Sequence, residues 1–111
     1  MSFFNNINSI NQQIILPTLN DNGFKIYIKR EDEIHPIVSG NKFRKLKYNI
    51  QKAKELNKRV ILTFGGAYSN HLLATAYAGK KENLKTIAYV RGQELKNIKY
   101  NSTLQKCNDF G

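Results

Sequence analysis

The sequence predicts an α/β fold, a parallel sheet with flanking helices, and three observations predict it. Strand-like and helix-like segments alternate from Lys25 onward. The segment Val60-Ile61-Leu62-Thr63-Phe64 is almost continuously apolar, as in a strand buried on both faces. The pair Gly65-Gly66 then ends that strand and opens a helical pattern.

Residues 1–24 read as an irregular lead-in rich in Asn, Gln, Ile and Ser, broken by Pro17. Ile14, Ile15 and Leu16 are expected to dock on the body, and Asp21-Asn22-Gly23 is a turn signal. Residues 25–111 form the α/β part. Lys25-Ile26-Tyr27-Ile28-Lys29 alternates polar and apolar residues and reads as a strand. Arg30-Glu31-Asp32-Glu33 follows, then a loop through Pro36 and Gly40. From Asn41 to about Leu56, Phe43, Leu46, Ile50 and Ala53 recur at spacings of three and four, giving a helix with one apolar stripe. After the apolar strand, a second helix is expected from Ser69 to about Lys80, with Leu73, Ala76 and Tyr77 facing inward. Thr86-Ile87-Ala88-Tyr89-Val90 reads as the third strand, Ser102 to Asp109 as a last helix, and Gly111 as its stop. The order is β-α-β-α-β-α. The chain ends where the next strand of such a sheet would begin, so it reads as a truncated α/β unit, with Met1 a genuine start and the missing length C-terminal.

Composition narrows the function classes. The 111 residues suit one small domain or a part of a larger one, and 41% hydrophobic content is enough for an ordinary core. No run approaches the roughly 18 apolar residues of a membrane span, and the opening MSFFNNINSINQQ lacks the basic and apolar regions of a secretory signal. The lone Cys107 cannot form an internal disulfide and reads as a free thiol in a reducing cytoplasm. The net charge of +10 raises an alternative, a small basic module for acidic partners such as RNA. Its lysines are spread along helices without interleaved aromatic residues, which fits a solvated basic surface better.

Two segments could carry chemistry. In Ser39-Gly40-Asn41-Lys42-Phe43-Arg44-Lys45-Leu46 a loop opens a helix, and Lys42, Arg44, Lys45 and Lys47 crowd its first two turns. Helix N-termini disfavour cations, so the crowding breaks a local rule without visible compensation. Positive surroundings favour a neutral amine, the form that condenses with an aldehyde. Taken alone, the segment reads more plainly as a solvated basic helix face. In Phe64-Gly65-Gly66-Ala67-Tyr68-Ser69-Asn70-His71 a helix starts at the C-terminal end of a buried strand, where α/β sheets bind ligands. Ser69 can cap that helix, the N–H groups after it can take a carboxylate, and Asn70 can bond a phenolate-like oxygen. A glycine turn with a serine cap and no ligand fits equally well. The segment is neither a dinucleotide fingerprint nor a Walker A loop. His35 and His71 lack the companions of a metal site, so no metal is expected. Arg30-Glu31-Asp32 reads as an ion-paired strand end, and Lys96–Lys106 as a solvated helix with its approach.

Together, Lys29-Arg30-Glu31-Asp32, then Ser39-Gly40-Asn41-Lys42 with Arg44-Lys45-Leu46, then Gly65-Gly66-Ala67-Tyr68-Ser69-Asn70-His71 resemble the 1-aminocyclopropane-1-carboxylate deaminase / D-cysteine desulfhydrase family over about Lys25 to Gly111. The resemblance implies a fold-type II pyridoxal-phosphate enzyme of tryptophan-synthase-β-like fold. It implies that Lys42 holds the cofactor and moves protons, that Asn70 bonds the cofactor's 3′-oxygen, and that Ser69 stands beside the substrate and takes part in catalysis. The Ser69, Asn70 and His71 backbone N–H groups would cradle the substrate carboxylate. It implies deamination of a small amino acid, with sulfide released where a thiol is the leaving group, and allows a homo-oligomer for the full-length enzyme. Family members are much longer. The glycine-rich loop for the cofactor phosphate and the residues that separate deaminases from desulfhydrases are expected beyond Gly111, so the chain alone is expected to lack activity.

Overall fold

A computed structural model describes residues 1–5 and 7–111. Its regular elements are β1 (Asn11–Ile14), α1 (Pro17–Asn20), β2 (Ile26–Lys29), α2 (Gly40–Glu55), β3 (Val60–Gly66), α3 (Asn70–Lys81), β4 (Lys85–Arg91) and α4 (Ser102–Phe110). Single 3-10 turns stand at Phe3–Asn5, Glu31–Glu33 and Gln93–Leu95. From β2 onward the alternation of strands and helices is the expected one.

The sheet differs from expectation. β3 and β4 pair in parallel, from Val60 opposite Lys85 to Gly66 opposite Arg91. β2 does not join them. It pairs antiparallel with β1, Asn11 opposite Lys29 and Ile14 opposite Ile26, as a separate two-stranded ribbon. The lead-in therefore contains a strand that composition concealed. Asn11-Gln12-Gln13 has little intrinsic strand preference and is ordered by the open hydrogen-bonding edge of β2. Ile14, Ile15 and Leu16 do not form a docked cluster: Ile14 is half-buried, but Ile15 is 69% and Leu16 45% exposed. Residues 10–29 form an arm, and the radius of gyration is 17.8 Å, against about 13 Å for a compact domain of this length.

The core lies between α2, α3 and the N-terminal turn. Phe4, Val38, Phe43, Leu46, Ile50, Ala74 and Ala78 form one buried cluster. The helical spacing of Phe43, Leu46 and Ile50 buries the predicted stripe of α2, while Ala53 is half-buried. Leu73 and Tyr77 of α3 are half-buried and Ala76 is buried, but Leu72, Ala74, Thr75, Ala78 and Gly79 are buried as well, so α3 is enclosed on most sides. Small residues permit this close approach. A Cβ at Gly79 would run into Thr86 Cγ2 on β4. Phe3 packs edge-on to Phe4, His35 and Tyr77, which ties the first residues into the body.

β3 is not buried on both faces. Ile61 and Thr63 are half-buried, but Val60, Leu62 and Phe64 are exposed, Phe64 at 68%. Ile87 and Tyr89 stand opposite Leu62 and Phe64 on β4, and Phe64 stacks on Tyr89 with ring centres 5.4 Å apart. The apolar run is that of a two-sided strand, but a two-stranded sheet with its packed helices on one side leaves the other face open.

Candidate active site

The site starts from the end of β3. A Cβ at Gly65 would lie 2.8 Å from Leu72 Cγ and 3.0 Å from Ser69 Oγ, so only glycine lets the first turn of α3 fold back against the strand. Ser69 is the N-cap, with extended backbone, and its Oγ accepts from the Leu72 N–H at 3.3 Å. Of the three N–H groups expected to cradle an anion, that of Ser69 is spent on the Gly66 carbonyl at 3.1 Å, closing the turn, while those of Asn70 and His71 find no protein acceptor among the described residues. They carry the positive end of α3. The Asn70 side chain is exposed.

His71 points back at β3, where its Nε2 lies 2.7 Å from Thr63 Oγ1. Burial holds the His71 imidazole below its ordinary pKa, and the charges of Lys42 and Lys45 lower it further. α2 packs against α3, and the cations at the start of α2 act on the His71 ring at the start of α3. Lys42 is half-buried, and its Nζ donates to Asn41 Oδ1 at 2.9 Å.

The approach to Lys42 is firmly held. His35 Nδ1 accepts from the Ile37 and Val38 N–H groups at 3.1 Å each, tightening the loop, and Val38 and Phe43 are wholly buried on either side of Lys42. His35 has its pKa lowered by burial and by Lys81. Both histidines are thus structural in their ring contacts, and no group of three potential metal ligands occurs among the described residues. Gly40 has φ +58°, a left-handed turn into the helix, and Ser39 makes no side-chain cap bond.

Two features escaped the sequence reading. One of the cations at the start of α2, Arg44, is compensated from outside the helix by Glu31. Arg44 Nε donates to Glu31 Oε2 and Arg44 Nη2 to Glu31 Oε1, each at 2.8 Å. Arg44, with Ser9, holds the Glu31 carboxyl down at about 2. The pair spans 13 residues, too far for a local pattern to reveal. Arg30, as expected, pairs with Asp32 and Glu33 at the strand end. The second feature is Arg91. It stands opposite Gly66 in the β3–β4 ladder and lines an open cleft with Tyr68 and Ser69. The placement of neighbouring strand ends in α/β sheets is the signal that could have found it. A more enclosed cavity of about 500 Å³ lies elsewhere, among Thr75, Val90, Leu104 and Cys107, and does not include Lys42, Asn70 or His71.

Lys42 at one helix start, and the Asn70 and His71 N–H groups with the Asn70 side chain at the next, offer an amine and a set of anion donors. An amine can condense with a carbonyl compound, and helix-start N–H groups can take an anion. Comparison with known proteins carries the identification further. A Thermotoga maritima protein provisionally named 1-aminocyclopropane-1-carboxylate deaminase is 42% identical over 72 residues, 65% of this chain and 23% of that protein. The bifunctional D-cysteine desulfhydrase/1-aminocyclopropane-1-carboxylate deaminase of Arabidopsis thaliana mitochondria is 38% identical over 74 residues, 67% of this chain and 18% of that protein. A D-cysteine desulfhydrase of Salmonella paratyphi B is 38% identical over 74 residues, 66% of this chain and 23% of that protein. The chain is a relative of the 1-aminocyclopropane-1-carboxylate deaminase and D-cysteine desulfhydrase enzymes. It spans only about a fifth to a quarter of the length of the curated relatives it matches. No protein-family model matches the chain, and no solved structure matches it. No described helix is long and apolar enough to cross a membrane.

Proposed function

We propose that this chain is the segment of a pyridoxal-phosphate-dependent deaminase or desulfhydrase that supplies the cofactor lysine and part of the substrate cradle. The observation that carries the reading is the 38–42% identity to relatives named as deaminases and desulfhydrases, and the unbonded N–H groups of Asn70 and His71 support it. Lys42 would hold the cofactor, and the Asn70 amide would donate to its 3′-oxygen. When bound, pyridoxal phosphate would supply the electron sink for bond breaking at or next to the substrate Cα.

The chain's own groups do the rest. The Asn70 and His71 N–H groups, oriented by the Ser69 cap and the dipole of α3, take the substrate carboxylate and fix the Cα. The Lys42 amine would move protons on the carbon skeleton: from Cα in a substrate such as D-cysteine, and at the ring carbons in 1-aminocyclopropane-1-carboxylate, whose Cα bears no hydrogen. The Ser69 hydroxyl lies at the same turn, within reach of the substrate. The overall change would be 1-aminocyclopropane-1-carboxylate plus water to a 2-oxo acid and ammonia by ring opening, or D-cysteine plus water to a 2-oxo acid, ammonia and sulfide. The +10 charge raises RNA as an alternative partner, and nothing in the named relatives supports it. A homo-oligomer belongs to the reading of the whole enzyme.

The test is a chimera in which this chain replaces the matching segment of the Thermotoga maritima relative. Borohydride reduction in the presence of pyridoxal phosphate, followed by peptide mapping, is expected to mark Lys42. Labelling mainly at Lys45 or Lys47 refutes the assignment. Residues 1–111 alone are expected to release no sulfide from D-cysteine above a Lys42→Ala control.

A further inference from the structure

We propose that Glu31 is a positioning residue for Lys42, acting through Arg44; this rests on the reading of Lys42 as the cofactor lysine. Glu31 stands at the joint between the arm and the body. Its carboxylate receives Ser9 Oγ at 2.8 Å from the chain entering the arm, and faces Lys29 Nζ at 3.7 Å from the chain leaving it. On the other side it takes both the Nε and Nη2 hydrogens of Arg44 at 2.8 Å. One carboxylate thus joins both ends of the arm to the second turn of α2.

The geometry of this joint matters because α2 begins without the usual restraints. Ser39 makes no side-chain cap bond, and no acidic residue lies in the first turn. Lys42, Arg44, Lys45 and Lys47 repel one another and the helix dipole there. A fork-to-carboxylate pair fixes orientation as well as distance, which a single lysine contact does not. With Arg44 clamped by Glu31 and Phe43 buried beneath it, the rotation of the first turn about the α2 axis is set. That rotation decides whether Lys42 or one of its lysine neighbours faces the Ser69–His71 turn.

The experiment uses the chimera described above, loaded with pyridoxal phosphate, and reads two quantities besides turnover: the distribution of borohydride label among Lys42, Lys45 and Lys47, and the melting temperature. The parent chimera is expected to carry its label at Lys42. Glu31→Gln is expected to lower the Lys42 share several-fold, with label appearing at Lys45 and Lys47. Exchange of the charges, Glu31→Arg with Arg44→Glu, is expected to restore the Lys42 share. A Glu31→Gln chimera that melts normally and labels Lys42 as the parent does overturns the proposal. Should Glu31→Gln unfold, the exchanged pair decides: a restored melting temperature without restored Lys42 labelling also overturns it. Parent labelling away from Lys42 overturns the underlying assignment instead, and is told apart because it needs no variant.

Discussion

Glu82, at the C-cap of α3, pairs with Lys54 near the end of α2, and its side chain is only 2% exposed. The same carboxylate accepts from Ser2 Oγ at 2.7 Å and from the Phe3 N–H, so one buried charge binds the N-terminal turn and both core helices. Burial pushes its pKa up, but Lys54, Ser2 and the Phe3 N–H together hold it below the ordinary value. Removing this acid leaves several partners unsatisfied, and Glu82→Ala is expected to cost about 3 kcal/mol.

The pH dependence follows from the sign of the shift. A carboxyl whose folded pKa is depressed binds protons more readily in the unfolded chain, so its contribution is complete above the unfolded value and fades as pH falls through the folded one. For Glu82, and for Glu31 held at about 2, the loss begins near the ordinary value of 4.5 and continues downward. Melting temperature is expected to fall from about pH 5 to about pH 2 in the wild type, and less steeply in Glu82→Gln. Equal slopes in the two proteins would remove Glu82 from the account.

Gly65 and Gly66 are adjacent but differ in what surrounds them. A Cβ at Gly65 meets Leu72 and the Ser69 hydroxyl, whereas at Gly66 it meets only the Arg91 guanidinium at 3.9 Å. Gly65→Ala is expected to destabilise by about 1–3 kcal/mol, as other overpacking changes do, and Gly66→Ala by less than about 1 kcal/mol. Urea midpoints of the two variants test the order. A milder effect at Gly65 than at Gly66 contradicts the close approach of α3.

Leu62 and Ile87 lie on the open face of the parallel pair. Replacing both with threonine keeps β-branched or strand-compatible side chains and removes exposed apolar surface. The double variant is expected to bind a hydrophobic dye such as ANS at least about two-fold less, with a melting temperature within a few degrees of wild type. A large drop in melting temperature would mean that this face is packed in solution.

Asn70→Ala in the chimera is expected to shift the absorbance of bound pyridoxal phosphate. Loss of a hydrogen bond to a charged oxygen, about 1.5–3 kcal/mol, corresponds to roughly ten- to hundred-fold weaker retention. Unchanged spectrum and affinity would leave Asn70 as a helix-start residue alone.

The elements that frame the candidate site were legible because their signals are local. Gly65-Gly66 followed by Ser69 marks a strand end and a helix cap within a few residues, and the structure has both. The apolar spacing of Phe43, Leu46 and Ile50 gave α2 and its buried side. The compensation of Arg44 at the start of α2 was not legible, because its anion is contributed by a separate turn.

By itself the sequence determined where the main helices and strands form after Lys25, which face of α2 is apolar, and which chemical groups stand at the end of β3. Periodicity and capping act over a few residues, so they survive reading in one dimension. Tertiary structure alone decided that β2 pairs with the Asn- and Gln-rich β1 and not with β3, that Phe64 and Tyr89 stack in the open, and that Glu31 and Glu82 tie distant segments together. Backbone edges and carboxylates accept any partner of suitable geometry. Which partner they meet is fixed by the path of the whole chain through space.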